Sequence, residues 1–236
     1  MILSENKQRM LYSIYHNNAR YIKGTGEAAR FRAIVEVMAI VDRCFFVPKQ
    51  FQKECYIDQP LPIGFNVTIS QPTTVARMLF LANIKQGVSV LEIGSGSGWN
   101  ASLLAYLSEK TVVSIERIKM LSLLARKNFE NFKKTSKSER IKEMAIEFVF
   151  GDAMDYKGKI WKNKYDRIIF TAGVPDNFLQ EVRKIGANLL NENGILVFPR
   201  EDAHGSMEVW MKKKGKLVNI FKERGYAFVP LIKGRV

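Results

Sequence analysis

Apolar residues recur at helical spacing over residues 27–46, at Phe31, Ile34, Val35, Val37, Met38, Val41 and Phe45, and Pro48 closes the segment. This predicts an amphipathic helix. Leu11, Ile14 and Tyr15 predict a second helix ahead of it, with Gly24 and Gly26 as the break between the two. Residues 47–71, punctuated by Pro48, Pro60 and Pro62, read as an extended, irregular connector. After Pro72 the pattern becomes regular. Helices are predicted over 73–81, 99–107, 118–132 and 177–190, and strands over 88–93, 111–115, 145–150, 166–170 and 194–198. The lysine-rich stretch 133–142 reads as a surface connection. Alternation of this kind predicts a parallel sheet built from βα units. Runs at 207–211, 217–221 and 226–231, separated by Gly and Lys, read as short antiparallel strands added to one edge.

The length of 236 residues fits one large α/β domain with a helical appendage, and 47% hydrophobic with 25% charged residues is an ordinary globular balance. Neither Cys44 nor Cys55 lies in a CxxC pair or near a histidine cluster, so no disulfide framework and no zinc site are expected, and both are read as reduced thiols. The opening residues lack the apolar run of a signal peptide, and no stretch approaches the roughly 20 apolar residues that span a bilayer. A cytoplasmic protein without membrane contact is expected. The formal charge of +14 favours acidic partners, whether nucleic acid, anionic surfaces or carboxylate-bearing peptides, and does not choose among them.

The strongest local signal is the apolar strand Val90-Leu91-Glu92-Ile93 running into Gly94-Ser95-Gly96-Ser97-Gly98 and then a helix from Trp99. Glycines allow a sharp turn and let a ligand approach the main chain, at the strand ends where open α/β sheets bind ligands. A dinucleotide loop reads G-x-G-x-x-G, whereas here Trp99 occupies the position of the third glycine. A pyrophosphate is therefore the poorer fit. The form E-x-G-x-G-x-G resembles the first motif of class I S-adenosylmethionine-dependent methyltransferases. Glu116 closes the next predicted strand, where an acid accepts hydrogen bonds from both ribose hydroxyls, and Gly151-Asp152-Ala153 follows the third, with the Asp152 carboxylate suited to the adenine amino group. Singly, each acid is more often a solvated loop residue or helix cap, and it is their order and spacing together that point to the cofactor.

Beyond the cofactor motif, the chain is similar to the protein-L-isoaspartate O-methyltransferase family from about Ile34 onward. The residues that carry this likeness are Val41-Asp42-Arg43 with Phe46-Val47-Pro48, the block from Tyr56 to Gly64, Gly64-Phe65-Asn66-Val67-Thr68-Ile69-Ser70-Gln71-Pro72, Tyr165-Asp166-Arg167, Gly194 to Pro199, and Phe228-Val229-Pro230-Leu231. The resemblance implies a doubly wound, Rossmann-like, mostly parallel seven-stranded sheet with helices on both faces, a helical N-terminal extension and antiparallel C-terminal strands. Residues 1–72 would form the extension and covering loop, and 73–236 the cofactor-binding domain. It implies S-adenosylmethionine held by Thr68, Ile69, Ser70, Glu92, Gly94, Ser95, Gly96, Gly98, Glu116, Arg117, Asp152, Ala153 and Thr171, with no metal. Ile69, Ser70, Val229 and Pro230 would meet an isoaspartyl-containing protein or peptide, with the Ser70 hydroxyl beside the reacting carboxylate in a monomeric enzyme. On local grounds alone Ser70 reads as a helix cap ahead of Pro72. Two positions depart from the family pattern: Arg200 stands where Gly is common, and Gly173-Val174 where an Ala pair is common.

Three rival functions start from the same residues. A tRNA or other nucleic-acid methyltransferase would use the charge and the lysines at 133, 134, 137 and 212–214, which also read as a solvated face, but Thr171-Ala172-Gly173-Val174-Pro175 offers no aromatic stacker for a flipped base. The departures at Gly173 and Arg200 border the expected substrate site and leave room for a specialised peptide aspartate methyltransferase, whereas Thr68-Ile69-Ser70 argues against an adaptor that binds the cofactor without catalysis.

Overall fold

The computed structural model describes residues 3–155 and 159–236. Seven strands form one sheet in the order β5-β4-β3-β6-β7-β8-β9: β3 is Val90–Ile93, β4 Val112–Glu116, β5 Ile146–Phe150, β6 Tyr165–Phe170, β7 Leu190–Arg200, β8 Ser206–Lys213 and β9 Lys216–Arg224. The first five in that order run parallel and the last two antiparallel. Every residue of β3 and β4 is buried, which is why apolar residues fall on both faces of these strands rather than alternating, with Glu92, Ser114 and Glu116 as the polar exceptions. Helices cover both faces. The helices α4 (Trp99–Ser108) and α5 (Lys119–Thr135) bury Leu103, Leu104, Leu121 and Phe129 against one face. On the other, α7 (Leu179–Leu189) packs Val182 and Ile185 over Leu91, Ile93 and Ile168. A short helix α6 (Glu139–Lys142) interrupts the lysine-rich connection.

Three helices ahead of the sheet, α1 (Glu5–Asn18), α2 (Gly24–Ile40) and α3 (Pro72–Leu81), pack into the same core as α4 and α5. Gly24 and Gly26 belong to the first turn of α2 rather than to the break, which falls at Ile22 and Lys23. The Lys23 N–H donates to Glu27 Oε2 at 2.6 Å and starts the helix there. The connector 47–71 holds more order than its prolines suggest: a 3₁₀ turn at Lys49–Glu54, then a hairpin of β1 (Leu61–Gly64) and β2 (Val67–Ile69). Phe65 and Asn66 form its tip at φ of 54° and 57°, the geometry of a tight hairpin turn. Pro62 hides the hairpin from a sequence reading because proline counts against a strand.

Charged side chains tie this connector down. The fully buried Arg43 guanidinium donates to the carbonyls of Cys55, Ile57, Gln59 and Ser70 at 2.9–3.2 Å. Asp58 accepts from the backbone N–H and the hydroxyl of Thr73, so the first turn of α3 is capped by a residue distant in sequence. Asp42 holds Lys7 Nζ and the Tyr56 hydroxyl, both at 2.8 Å.

Two expectations are corrected. Cys44 and Cys55 are not free thiols but a disulfide, with Cα atoms 5.1 Å apart; the turns between them fold the segment back on itself, and a spacing alone does not reveal that. Residues 226–231 are not an eighth strand of the sheet. Gly225, at φ 99°, turns the chain out of β9, and the extended segment beyond it touches the strand ends through the isolated bridge Gly173–Pro230. Pro230 has no N–H to give a ladder. Among the described residues no helix is long and apolar enough to cross a membrane.

Candidate functional site

Strand order reverses between β3 and β6, and the crevice opens there. Gly94 follows β3 and Thr171 follows β6. The Thr171 N–H donates to the Ile93 carbonyl at 3.0 Å, and its hydroxyl to the carbonyl of Gly94 at 2.7 Å. A Cβ on Gly94 would stand 2.2 Å from that hydroxyl oxygen, and φ there is 99°, so the position admits only glycine without a shift of the crevice.

A cavity of about 360 Å³ occupies the crevice. Gly94 and Gly96 face it from the end of β3, Glu116 and Arg117 from β4, Gly151, Asp152 and Ala153 from β5, and Thr171 and Ala172 from β6. Ile118 lines it from the start of α5. The hairpin tip Phe65-Asn66-Val67 covers one side and the tail residues 229–232 another. Glu116 is 5% exposed; its Oε2 accepts the Gly96 N–H and its Oε1 the Ile118 N–H, each at 3.0 Å. Each oxygen keeps a second lone pair for a ligand hydroxyl. Asp152 accepts from the backbone N–H groups of Met154 and Gly234 at 2.8 and 2.7 Å, and Arg117 Nε donates to the Gly234 carbonyl at 2.9 Å. The tail is thus fastened beside the cavity at two strand ends.

Other residues of the motif turn inward. Glu92 is 0% exposed; Asn100 Nδ2 donates to its Oε1 at 2.8 Å, and the Ser114 hydroxyl donates to its Oε2. Ser95 Oγ lies 2.6 Å from Ser114 Oγ. Gly98, at φ 86°, lets α4 approach α5, since a Cβ there would lie 2.9 Å from the Ala125 carbonyl oxygen. These three residues fix the strand, the loop and the helix start. Burial pushes the Glu92 carboxyl up to about 8 against the pull of the Ser114 and Asn100 hydrogen bonds. The folded chain therefore holds a proton that the unfolded chain has released above the ordinary carboxylate range. Stability contributed in this way is present at low pH and is lost between the ordinary value of 4.5 and about 8. Glu92→Gln is expected to flatten the fall of unfolding free energy with pH across that window, by up to about 1.4 kcal/mol per pH unit; urea titrations at stepped pH read it, and parallel slopes for the two proteins would show that Glu92 ionises normally.

Thr68 and Ser70 face a second cavity of about 430 Å³, walled also by Pro60, Gln71, Thr74 and residues 225–229. Thr171 and Val229 line both cavities. Ile69 points into the core at 3% exposure, and Pro230 stays on the first cavity. Ser70 does not cap α3: the cap position is Gln71, which makes no side-chain cap bond, and Asp58 takes the Thr73 N–H. Among the described residues no hydrogen bond engages the Ser70 hydroxyl. The carbonyl of Ser70 is held by Arg43 at 3.2 Å, so the residue is fixed while its hydroxyl faces the cavity. Arg200 ion-pairs with Asp176 outside both cavities. A Cβ on Gly173 would make only ordinary contacts of 3.5 Å or more. Among the described residues no cluster of His, Cys, Asp or Glu could hold a metal ion.

Sequence reading missed Phe65, Asn66, Val67, Ile118, Gly151, Ala172, Leu231 and Ile232. Their signal was position alone: they flank motif residues on the hairpin, the strand ends and the tail, and most carry apolar side chains or none, which give no chemical mark.

A mostly parallel sheet of this order, with a glycine turn after its first strand and carboxylates after the next two, defines the Rossmann-like class I S-adenosylmethionine-dependent methyltransferase class. Within that class, the chain belongs to the protein-L-isoaspartate(D-aspartate) O-methyltransferase family, whose model matches residues 20–236. It is 34% identical to a protein-L-isoaspartate O-methyltransferase of Pyrococcus horikoshii over 231 residues, 95% of this chain and 96% of the relative. It is 38% identical to the Methanopyrus kandleri enzyme of the same name over 207 residues, 86% and 84% of the two chains. The fold is shared with a candidate protein-L-isoaspartate O-methyltransferase of Plasmodium falciparum solved with S-adenosyl-L-homocysteine, at a TM-score of 0.77 and 24% identity over 98% of this chain and 100% of that one.

Proposed function

We propose that this chain transfers a methyl group from S-adenosylmethionine to the side-chain carboxylate of L-isoaspartyl residues in proteins and peptides. The observation that carries the reading is the pair of adjoining cavities walled by Thr171 and Val229, one with strand-end carboxylates and the other with the Ser70 hydroxyl. The first cavity fits the cofactor: glycine at 94 and 96 keeps the turn open, and Glu116 and Asp152 retain lone pairs for ribose hydroxyls and an adenine amino group. When bound, the cofactor supplies an electrophilic methyl on a positively charged sulfur. Arg117, Ala153 and Thr171 shape the walls around it. Glu92, Ser95 and Gly98 act on it through the loop they hold.

A carboxylic acid with a pKa near ~4 is ionised at neutral pH, so the chain needs no general base. Its residues have to align the carboxylate and strip it of water. Ser70 serves by donating its hydroxyl to one carboxylate oxygen, while Thr68 and Val229 wall the groove. Residues 1–72 cover the site and 73–236 carry the cofactor, in a cytoplasmic monomer. Loss of one hydrogen bond to a charged group corresponds to roughly tenfold in rate. Ser70→Ala is accordingly expected to lower kcat about tenfold and leave cofactor affinity alone, as steady-state kinetics and calorimetry will read; complete loss of turnover would give Ser70 a direct chemical role.

The reading is tested with labelled S-adenosylmethionine and paired peptides differing only in Asp versus isoAsp, with RNA as a third substrate. Base-labile label on the isoAsp peptide alone is expected. Label on RNA alone would overturn the proposal.

A further inference from the structure

The Ser70 cavity borders a third, of about 670 Å³, across Gln71, Thr74, Gly225 and Tyr226, which line both. The far wall is the end of α1 and the turn after it, from His16 to Tyr21; the near wall is Arg77 on α3, and Arg224 closes the third side. Among the described residues no Asp or Glu lines this cavity; Asp58 stands behind Asn17, Gln71 and Thr73, and Glu223 behind Arg77. Its cations differ in how they are engaged. Arg77 is buried and committed to Glu223 at 2.9 Å, whereas Arg20 and Arg224 are exposed and, among the described residues, take part in no salt bridge. Arg20 is nevertheless held in place, its guanidinium 4.6 Å over the Tyr21 ring. On the other side of residues 225–228 a further cavity carries Glu201 and Asp202. The groove is therefore basic at one end and mixed in charge at the other.

We propose that the His16–Arg77 cavity is a subsite for an acidic side chain of the substrate flanking the methylated residue, read by Arg20 and Arg224. The inference rests on the isoaspartyl reading above and adds the class of sequence preferred. An extended peptide whose reacting carboxylate meets Ser70 continues past Gln71 and Thr74 into this cavity. A carboxylate there finds two cations that take part in no salt bridge among the described residues, and a lysine meets their repulsion. Exposed charge pairs are individually weak, so the effect is a preference and not a gate.

The test is a set of isoAsp peptides with Glu, Ala or Lys scanned position by position on both sides of the reacting residue. At the best position, on one side only, kcat/KM is expected to be about tenfold higher for Glu than for Lys, through KM, and the ratio is expected to shrink as salt is raised. Arg20→Glu with Arg224→Glu is expected to invert it, and Arg20→Lys with Arg224→Lys to preserve it. A ratio near one at every position in the wild-type chain, or one unmoved by the charge reversal, overturns the subsite. If no isoAsp peptide is methylated, the proposed function falls separately. Calorimetry of the same peptides then decides the subsite: a Glu preference lost on charge reversal supports it, and binding indifferent to charge removes it.

Discussion

Gly94→Ala is expected to abolish methyl transfer in a chain that still folds. The added Cβ falls 2.2 Å from Thr171 Oγ1, and that oxygen cannot step aside cheaply because its hydroxyl bonds the carbonyls of Gly94 and Ile93 at 2.7 and 3.1 Å. The residue must also keep φ at 99°, a conformation that costs an L side chain of order 1–3 kcal/mol. Relief comes from parting the ends of β3 and β6, which are the floor of the 360 Å³ cavity. Affinity for S-adenosylhomocysteine should fall at least ~100-fold, since a loop displaced by more than an ångström loses several contacts together. Calorimetry reads the affinity and circular dichroism the fold. Adding Thr171→Ala removes the obstructing oxygen and should recover part of the binding. Affinity within a few-fold of wild type in Gly94→Ala alone would show that the crevice yields without cost.

Arg43→Met should destabilise the chain more than any other single change outside the sheet. Four carbonyls, those of Cys55, Ile57, Gln59 and Ser70, lose their donor at once, and Trp99, whose ring lies 5.5 Å from the guanidinium, loses its cover. Burial pulls this guanidinium down to about 10, so it remains charged at neutral pH. Breaking such a buried network by removing one partner costs about 3–5 kcal/mol. Arg43→Lys keeps the charge but not the fork, and is expected to restore less than half. Urea denaturation measures both variants. The Ser70Ala and Arg43Lys defects should also separate: the first lowers kcat in a stable chain, the second lowers stability and turnover together. A loss below about 1 kcal/mol in Arg43→Met would mean that water satisfies the connector instead.

The parts legible in the sequence are those whose period is local. The strand at Val90–Ile93, its glycine turn and the helix from Trp99 were set by apolar runs and by residues suited to one backbone conformation. Strand-end acids such as Glu116 and Asp152 were legible because a parallel sheet sends all such ends to one side. The direction of a side chain was not. Glu92 and Ser95 sit in the same motif as Gly94 yet face the core, a distinction made by packing against Ser114 from another strand. Arg43 was legible only as a member of the Val41-Asp42-Arg43 block, and its four distant carbonyls explain its burial. The hairpin at Leu61–Ile69 and the detached tail at 226–231 escaped for a shared reason: each contains a proline, and each is held by contacts across the chain rather than by its own pattern.

Val229 borders both cavities, and its carbonyl is tethered to the Gly173 N–H at 2.8 Å. Whatever steadies this residue from one direction lowers the entropy still to be lost from the other. Coupling of this kind is mutual by thermodynamic necessity: if methyl donor tightens peptide by some factor, peptide tightens methyl donor by the same factor. Demethylated donor, of nearly the same shape, inherits most of that grip. With such coupling, product peptide is expected to leave before the spent donor without any moving gate, an order that product-inhibition kinetics reads.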